Sequence, residues 1–354
     1  MAIRIGLIGC GEYCSKTHAQ VLSEKVCVQI AAISECVFPG ELARRQQQFR
    51  IPHAFSSYEE MLHSVKLDGV VISTPHTRHF IQARCCLELG LHVLVDKPPA
   101  CRSEEVQALV NLADLAGCHL LVASQRRYGS LFCRLRDKVQ NGELGELKLV
   151  EFHYGRSKHP EFATSWRNDP TLSGGGVLFD AGYHVLDSLL WITNRHPLRV
   201  HGSLERKGTK VETSASFILE LEGGVSANIS MHLEMPPHMV REEIGFFGSE
   251  GALLYQYVSL PDNASSARII TVRGGHQSYE EIQRDRGIDQ APAKNLIGAI
   301  LDQDPAKSSG RESIETVRTI EWIYRELDKL DHNMEASTHE TGRPARERFH
   351  QTSR

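Results

Sequence analysis

The first third of the chain alternates short apolar runs with amphipathic segments. The apolar runs predict strands, and the segments between them carry apolar residues at helical spacing. Strands are predicted at residues 3–8, 28–34, 69–73, 92–95 and 119–123, and helices at 16–23, 40–48, 79–89 and, behind Ser103 as an N-cap, up to Ala116. Because the predicted strands are almost continuously apolar, we expect both faces of their sheet to be covered. The alternation therefore predicts an α/β domain with a parallel sheet wrapped by helices.

The pattern changes after residue 149, where apolar and polar residues begin to alternate. Residues 213–221 and 225–233 predict the two strands of a hairpin, joined by the turn Glu222-Gly223-Gly224. Further strands are predicted at 242–247, 252–258 and 268–272, followed by helices at 292–301 and 313–330. Strict alternation is typical of a sheet with one face buried and one face in water. This part of the chain therefore predicts a large open, mainly antiparallel sheet.

The two patterns and the length of 354 residues predict two domains. The first, residues 1–124, is expected to be a Rossmann dinucleotide-binding domain, and the second, residues 125–330, a substrate-binding and oligomerisation α/β domain. The tail, residues 331–354, is polar and lacks periodicity, so we expect it to be disordered.

Composition narrows the classes of function. The net charge of -4 gives no basic surplus for binding nucleic acid. No apolar run is long enough to span a bilayer and the N-terminus does not resemble a signal peptide, so we expect a cytoplasmic protein without a membrane partner. The nine cysteines lie between Cys10 and Cys133 without a Cys-x-x-Cys pair, and His76 and His79 lack cysteine partners. These features predict reduced thiols and no metal site.

A glycine-rich run lies where the first predicted strand turns into the first helix. Gly9 permits a tight turn there, and Gly11 lets the backbone approach a pyrophosphate. The helix N-terminus at Glu12 and Tyr13 offers N–H groups to the same anion. Cys14 stands where the usual fingerprint has a third glycine, and it is small enough to pack against the sheet. In the context of strand, turn and helix, the run predicts dinucleotide binding rather than a turn that merely needs glycine.

The end of the second predicted strand bears on the choice between NAD and NADP. An acidic residue at this place hydrogen-bonds the ribose 2′-hydroxyl of NAD, whereas an arginine accommodates the 2′-phosphate of NADP. Here Ser34 occupies the usual acidic position and Glu35 follows it. Arg44 and Arg45 lie on the next predicted helix, where they are expected to be too far away. Glu35 therefore favours NAD, with NADP as the alternative.

Three further motifs follow in order: Ser73-Thr74-Pro75-His76-Thr77-Arg78-His79, then Asp96-Lys97-Pro98, then the run from Gly174 through Asp180 and His184 to Asp187. In their order and spacing, from residue 3 to about residue 330, the chain resembles the Gfo/Idh/MocA oxidoreductases, named for glucose–fructose oxidoreductase and inositol dehydrogenase. The combination is specific because separate motifs agree.

This resemblance implies a Rossmann domain followed by an α/β domain whose open sheet makes subunit contacts, giving a homodimer or homotetramer. The family's Glu-Lys-Pro motif corresponds to Asp96-Lys97-Pro98, with a shorter acid. By the same resemblance Lys97 contacts the nicotinamide end, and Thr74, Pro75 and His79 line the cofactor channel. The family's aspartate and histidine correspond to Asp180 and His184.

The spacing of Asp180 and His184 places them one turn apart on one face of a helix predicted at residues 176–190. Oxidation of a hydroxyl group needs a base for its proton, and the imidazole of His184 titrates near neutrality. Asp180 is expected to orient that ring or to bind a neighbouring substrate hydroxyl. Lys97 is expected to stabilise negative charge on the reacting oxygen. The three residues are the predicted catalytic group.

The substrate is predicted to be a small hydroxylated molecule, namely a sugar, a cyclitol or a sugar derivative, because polar residues abound and aromatic residues are only 7% of the chain. Candidate substrate-binding residues follow the last strand of the first domain or flank a loop of the second: Arg127, Tyr128, Arg156, Trp166 and Arg167. Each is equally consistent with a structural role. Two other functions stay open, an enzyme that uses NAD without net redox (a glycosidase or an epimerase) and a non-catalytic cofactor sensor.

Overall fold

The computed structural model describes residues 2–35, 39–259, 265–283, 285 and 287–341. The first sheet is wholly parallel, with strand order β3-β2-β1-β4-β5-β6. Its strands are β1 Ile3–Ile8, β2 Val28–Ser34, β3 His53–Phe55, β4 Gly69–Ile72, β5 His92–Val95 and β6 Leu120–Val122. This is the order of a doubly wound dinucleotide-binding sheet. Its strand order reverses between β1 and β4, and ligands bind at the carboxyl ends beside such a reversal.

Helices cover both faces of this sheet and fill the space between the two sheets. Those in the first half of the chain are α1 (Glu12–Cys14, a π-helical turn Ser15–Ala19, then Gln20–Ser23), α2 Pro39–Phe49, α3 Tyr58–Ser64, α4 His79–Glu88, α5 Ser103–Ala116 and α6 Ser130–Gln140. Later in the chain follow α7 His159–Thr164, α8 Pro170–Ser173, α9 Val177–Thr193, α10 Ala291–Ile300 and α11 Gly310–Thr341. In the described residues, no helix is both long and apolar enough to cross a membrane.

The second sheet has the order β14-β13-β12-β11-β7-β10-β9-β8. Its strands are β7 Leu147–Arg156, β8 Pro197–Glu205, β9 Ser214–Leu221, β10 Val225–His232, β11 Val240–Gly248, β12 Gly251–Ser259, β13 Ser265–Arg273 and β14 His276–Glu281. Every pair is antiparallel except β7 with β10, which run parallel. The prediction of a Rossmann sheet followed by a mainly antiparallel sheet is confirmed.

Some elements were not predicted from the sequence. The structure adds strands β3, β7, β8 and β14 and helices α3, α6, α7 and α8. In β14 every residue is exposed, so no apolar face marks it, and β3 has only three residues. The N-cap of α5 is Arg102 rather than Ser103, because the Glu105 side chain accepts the Arg102 N–H at 3.2 Å.

The last two helices return to the first sheet. Ala293, Leu296 and Ile297 of α10 join the apolar cluster of that sheet, and the Ser308 carbonyl accepts the Val122 N–H at 2.9 Å. Residues beyond 124 therefore complete the core of the Rossmann sheet. Helix α11 also packs against α5 and α9, and so ties the two halves of the molecule together.

The final helix runs past residue 330, where the sequence predicted its end. It is described as far as Thr341. No glycine or proline lies between Leu330 and Thr341, so the chain has no helix-breaking residue before that point. The part of the predicted tail at residues 342–354 lies outside the described residues.

Candidate active site

The turn after β1 requires glycine at one position. Gly9 has a φ of +86°, and a Cβ atom there would lie 2.5 Å from the Ser73 carbonyl oxygen. Its N–H donates to the Ser34 carbonyl at 2.9 Å, which ties the turn to β2. At Gly11 a Cβ atom would meet no described atom within 4 Å, so open space lies over the start of α1. The first turn of a helix leaves N–H groups without intrahelical acceptors, and this space suits a pyrophosphate group.

Glu35 is buried behind this turn. Its carboxylate accepts the Cys10 N–H at 2.9 Å, and Ser34 beside it is also buried. Arg45, although placed too far away by the sequence, reaches the same loop, because α2 packs beside it: its Nε donates to the Cys10 carbonyl at 3.3 Å. Arg45 also pairs with Glu41 on its own helix at 2.8 Å. Glu35 and Arg45, the acid and the arginine that bear on cofactor choice, therefore both contact Cys10 of the glycine turn.

The two residues that open α1 lie nearer the surface. Glu12 is exposed and pairs with Lys16 at 2.5 Å. Tyr13 is partly exposed, and its ring meets that of His18 edge-on, with centroids 5.7 Å apart. His18 in turn is fully buried.

Asp96 holds three segments together at the end of β5. Its Oδ1 lies 2.8 Å from His18 Nε2 in α1, and its Oδ2 accepts the Ser73 hydroxyl at the end of β4. Burial opposes ionisation, but His18 and the hydroxyl outweigh it, and the pKa of Asp96 lies below its usual range. The shorter acid therefore anchors the residue that follows it, Lys97.

The loop after β4 is fixed by a second histidine. His79 is fully buried, with Nδ1 2.7 Å from the Pro98 carbonyl and Nε2 2.8 Å from the Thr74 carbonyl. The Thr74 hydroxyl donates to Gln82 Oε1 at 2.5 Å, and Pro75 begins the short turn that leads to His79. The His79 ring therefore joins this loop to the Lys97–Pro98 peptide, which is cis. Its place in the cofactor channel stays a prediction.

Lys97 and Asp180 meet at the junction of the two sheets. Lys97 Nζ donates to Asp180 Oδ1 at 2.5 Å and to the Asp180 carbonyl at 2.8 Å, and Arg167 Nε donates to Oδ2 at 2.9 Å. Burial opposes ionisation of Asp180, but the charges of Lys97 and Arg167 outweigh it. The pKa of Asp180 is therefore held well below its usual range. The structure thus brings Lys97 to Arg167 and Asp180, which follow it by 70 and 83 positions in the sequence.

His184 lies one turn beyond Asp180 on α9, as the spacing predicted. In the described ranges no hydrogen bond joins the Asp180 carboxylate to the His184 ring, because both carboxylate oxygens bind cations. Burial, followed by the charges of Lys97 and Arg126, lowers the pKa of His184 well below its usual range. The ring is therefore neutral at neutral pH, the form that accepts a proton.

Arg126 supports this turn of α9 and was not a sequence candidate. Its Nη1 donates to the His184 carbonyl and to Ser188 Oγ, both at 3.3 Å, and its Nη2 donates to Glu242 on β11. In the sequence, Arg126 is marked only by its place next to the candidate Arg127. The two arginines can be distinguished only by the direction in which the turn Gln125–Tyr128 points each side chain.

Arg127 and Tyr128 bind other parts of the fold and are not brought to Lys97 and Asp180, so their role in binding substrate stays a prediction. Arg127 donates to Asp187 through Nε and Nη2 and to Glu312 through Nη1, at distances from 2.8 to 3.3 Å. The Tyr128 hydroxyl donates to the Lys307 carbonyl at 2.9 Å. Successive side chains of a tight turn point in different directions, so a position after β6 could not by itself assign their partners.

Trp166 and Arg167 do lie at the site, beside a further residue, His76. The rings of Trp166 and His76 meet edge-on at 4.9 Å, and the Arg167 guanidinium lies 4.5 Å from the Trp166 ring centroid. His76 Nδ1 donates to the Ser173 carbonyl at 2.9 Å, which leaves Nε2 as an acceptor, 4.0 Å from Asp180 Oδ1. Burial lowers the pKa of His76 to about 3. A neutral acceptor therefore lies beside the Asp180 carboxylate.

The three glycines before α9 serve packing within the protein rather than ligand approach. A Cβ atom at Gly174 would lie 2.8 Å from Cys101 Sγ, one at Gly175 would overlap the Tyr324 hydroxyl, and one at Gly176 would overlap the Glu212 backbone. Small residues here let the start of α9 reach its neighbours, which sets the position of Asp180.

Comparison with known proteins decides the family. Residues 3–124 match the oxidoreductase family with an NAD-binding Rossmann fold, and residues 132–254 match the GFO/IDH/MocA C-terminal domain. The chain belongs to the Gfo/Idh/MocA oxidoreductase family. As a member of it, the protein is an NAD(P)-dependent dehydrogenase or reductase acting on CH–OH groups, as predicted from the motifs.

Curated relatives share about a quarter of their residues with this Gfo/Idh/MocA protein. The rhizopine catabolism protein MocA of Rhizobium meliloti is 27% identical over 239 residues, which cover 66% of this chain and 72% of the relative. The scyllo-inositol 2-dehydrogenase (NADP(+)) IolW of Bacillus subtilis is 24% identical over 336 residues, covering 90% and 92%. The aldose-aldose oxidoreductase of Caulobacter crescentus, solved with glycerol, superposes with a TM-score of 0.77 at 21% identity, covering 93% and 98%. The structural likeness confirms the fold.

Proposed function

We propose that this chain oxidises a secondary hydroxyl group of a sugar, a cyclitol or a sugar derivative, or reduces the corresponding ketone, with NAD or NADP as hydride carrier. The observation that carries the proposal is the Lys97 ammonium, held at two points by Asp180 one helical turn before His184. Oxidation of a carbinol needs a base for the hydroxyl proton and a donor that stabilises negative charge on the oxygen as the hydride leaves. The neutral imidazole and the ammonium held by the carboxylate supply these two groups.

Each of the three side chains has a role in this proposal. The neutral His184 ring takes the hydroxyl proton in oxidation and returns it in reduction. Lys97 donates a hydrogen bond to the reacting oxygen and stabilises the negative charge that develops on it. Asp180 fixes the ammonium through Oδ1 and its own carbonyl, and binds Arg167 through Oδ2. Asp180 therefore positions Lys97 rather than the imidazole.

The chain's own residues fit a dinucleotide at the first sheet. The pyrophosphate is assigned to the open space at Gly11 and the first turn of α1, and the adenosine ribose to Glu35 and Ser34. Bound there, the dinucleotide supplies the acceptor or donor of the hydride. The buried Glu35 carboxylate supports a preference for NAD, because it repels a 2′-phosphate.

The named activities of relatives support a polyol substrate. They include a scyllo-inositol 2-dehydrogenase, a D-xylose 1-dehydrogenase of Haloferax volcanii and a D-glucoside 3-dehydrogenase of Escherichia coli. All three names describe oxidation of a sugar or cyclitol hydroxyl group. We assign the same substrate class to this chain.

We also propose that the chain forms a homodimer or homotetramer through the second sheet. Ile218 on β9 supports this, because its side chain alternates outward and is 46% exposed, opposite the partly buried Asn228 of β10. Light scattering of the wild type and of Ile218→Asp tests the proposal. A wild type that is monomeric at micromolar concentration contradicts it.

The test of the function is a panel of sugars and cyclitols, scored by the absorbance of reduced nicotinamide with NAD⁺ and NADP⁺ in parallel. Lys97→Ala and His184→Ala are each expected to lower kcat/KM by about 10² to 10⁴ while cofactor binding, measured by NADH fluorescence, survives. Lys66→Ala and His63→Ala, at exposed positions outside the second sheet, are the matched controls. Near-normal rates in both site variants contradict the assignment, and cofactor binding without turnover of any polyol contradicts the function.

A further inference from the structure

Arg156 ends β7 on the side of the second sheet that faces the catalytic helix. Side chains two residues apart on a strand share a face, so Arg156 lies on the same face as Tyr154. Its guanidinium carbon is 5.5 Å from the centroid of the Tyr154 ring. Tyr154 is paired in register with Met231, whose methyl group would lie 3.2 Å from a Cβ atom at Gly182 of α9. Arg156 is therefore on the helix-facing surface, near the turn that carries Asp180 and His184.

The other cations of this region each have an acidic partner. Lys97 and Arg167 share Asp180, and Arg126 pairs with Glu242. Across the described chain, Arg156 has neither an ion pair nor a side-chain hydrogen bond, and its Nε is buried without an acceptor. Arginine cannot lose its charge in a protein, and a buried donor without an acceptor is unfavourable.

The charges around His184 therefore do not balance. Four cations (Lys97, Arg126, Arg156 and Arg167) lie in this region with three carboxylates (Asp96, Asp180 and Glu242), which leaves one positive charge over. The charge of Arg156 also contributes to lowering the pKa of His184, and that of Asp180 to raising the pKa of Tyr154, so these groups share one electrostatic environment. A cleft with excess positive charge attracts an anionic ligand.

Resting on the function proposed above, we propose that Arg156 binds an anionic oxygen group, a carboxylate or a phosphate, carried by the hydroxylated substrate. The guanidinium fork presents two parallel N–H donors, which match two oxygens of an oxyacid. A neutral hydroxyl offers a single acceptor and no charge. The substrate class is thereby narrowed from sugars in general to acidic sugars such as uronates and sugar phosphates.

Binding measured without turnover tests this proposal. The NADH-loaded protein is titrated by calorimetry with D-glucuronate, D-glucose 6-phosphate and D-glucose. We expect one of the two acids to bind about tenfold or more tightly than D-glucose, and which acid does so tells carboxylate from phosphate. In Arg156→Met this ratio is expected to fall towards one, whereas Arg156→Lys, which keeps the charge and loses the fork, lies between. Arg199→Met, at an exposed arginine of β8, is expected to keep the wild-type ratio.

Two outcomes overturn the proposal. One is that the wild-type protein binds D-glucuronate, D-glucose 6-phosphate and D-glucose with equal affinity, whether that affinity is high or low. The other is a preference for acids that persists in Arg156→Met and disappears in Arg167→Met, which assigns the anion to the neighbouring arginine. Hydride transfer is scored separately by absorbance, so a protein that prefers acids but never reduces NAD⁺ contradicts the proposed function and leaves the role of Arg156 intact.

Discussion

Glu212 binds the backbone of Gly176 at the start of the catalytic helix α9. Both carboxylate oxygens accept the Gly176 N–H, at 3.0 and 3.1 Å, and Oε1 also accepts the Leu178 N–H at 3.0 Å. The Tyr324 hydroxyl of α11 donates to the same oxygen at 2.6 Å. Carboxylate oxygens at a helix N-terminus accept hydrogen bonds from N–H groups that have no partner within the helix. A negative charge there also interacts favourably with the positive end of the helix dipole. A residue 32 positions after Asp180 therefore sets where the catalytic helix begins.

Removing this cap is expected to destabilise the fold. Glu212→Ala leaves buried N–H groups without acceptors, and we expect a loss of about 2 to 4 kcal/mol in the free energy of unfolding. Tyr324→Phe removes the hydroxyl that donates to Glu212 and accepts the Gly176 N–H at 3.3 Å, and is expected to cost about 1 to 2 kcal/mol. Urea unfolding followed by circular dichroism measures both. The control is Glu161→Ala, at an exposed position of α7, expected to change stability by about 0.5 kcal/mol or less. Equal stability of the Glu212 and Glu161 variants argues against the cap.

The two glycines of the nucleotide turn are expected to respond differently to alanine. Gly9→Ala forces a Cβ atom against the Ser73 carbonyl at a positive φ, which alone costs roughly 1 to 2 kcal/mol. Gly11 has a φ of -57° and open space, so Gly11→Ala is expected to keep its stability. Its Cβ atom instead fills the space assigned to the pyrophosphate, and we expect NADH affinity to fall about tenfold. Thermal unfolding and NADH fluorescence separate the two effects. Wild-type NADH affinity in Gly11→Ala speaks against the assigned pyrophosphate position.

Neutralising Glu35 is expected to shift cofactor choice. Glu35→Gln keeps an oxygen acceptor for the Cys10 N–H and removes the charge that repels a 2′-phosphate. We expect the ratio of kcat/KM with NADP⁺ to that with NAD⁺ to rise about tenfold, the equivalent of about 1.4 kcal/mol. Glu88→Gln, at an exposed position of α4 that pairs with Arg84, serves as the comparison. A ratio that moves equally in both variants contradicts a specific role for Glu35.

We expect the kcat/KM for oxidation to stay high at mildly acidic pH. An imidazole accepts a proton only in its neutral form, which predominates above its pKa. Because burial and the charge of Lys97 lower the pKa of His184 well below its usual range, the neutral form persists at pH values where an ordinary histidine is already protonated. We therefore expect the acid limb of kcat/KM to lie below pH 6.5. A limb at or above pH 6.5, measured between pH 4.5 and 8.5, contradicts this assignment of the base.

The local elements of the first domain could be predicted because their signals are local. β1, β2 and β5 have the predicted bounds, and the hairpin of β9 and β10 turns at its two glycines as predicted. The positive φ of Gly9 and the helical spacing of Asp180 and His184 are likewise properties of short segments. Strand β14 could not be predicted in this way, because all of its side chains are exposed and no periodic face marks it.

The sequence by itself determined the alternating elements, the glycine turn and the set of residues able to do the chemistry. Only the tertiary structure decided their partners: that Asp180 holds Lys97 rather than His184, that Arg126 binds α9 at His184 whereas Arg127 binds it at Asp187, and that Arg156 has no acidic partner among the described residues. Spacing along a chain fixes which face of an element a side chain occupies. The partner is chosen by segments that are distant in sequence, and the packing of the two sheets against α9 and α11 brings those segments together.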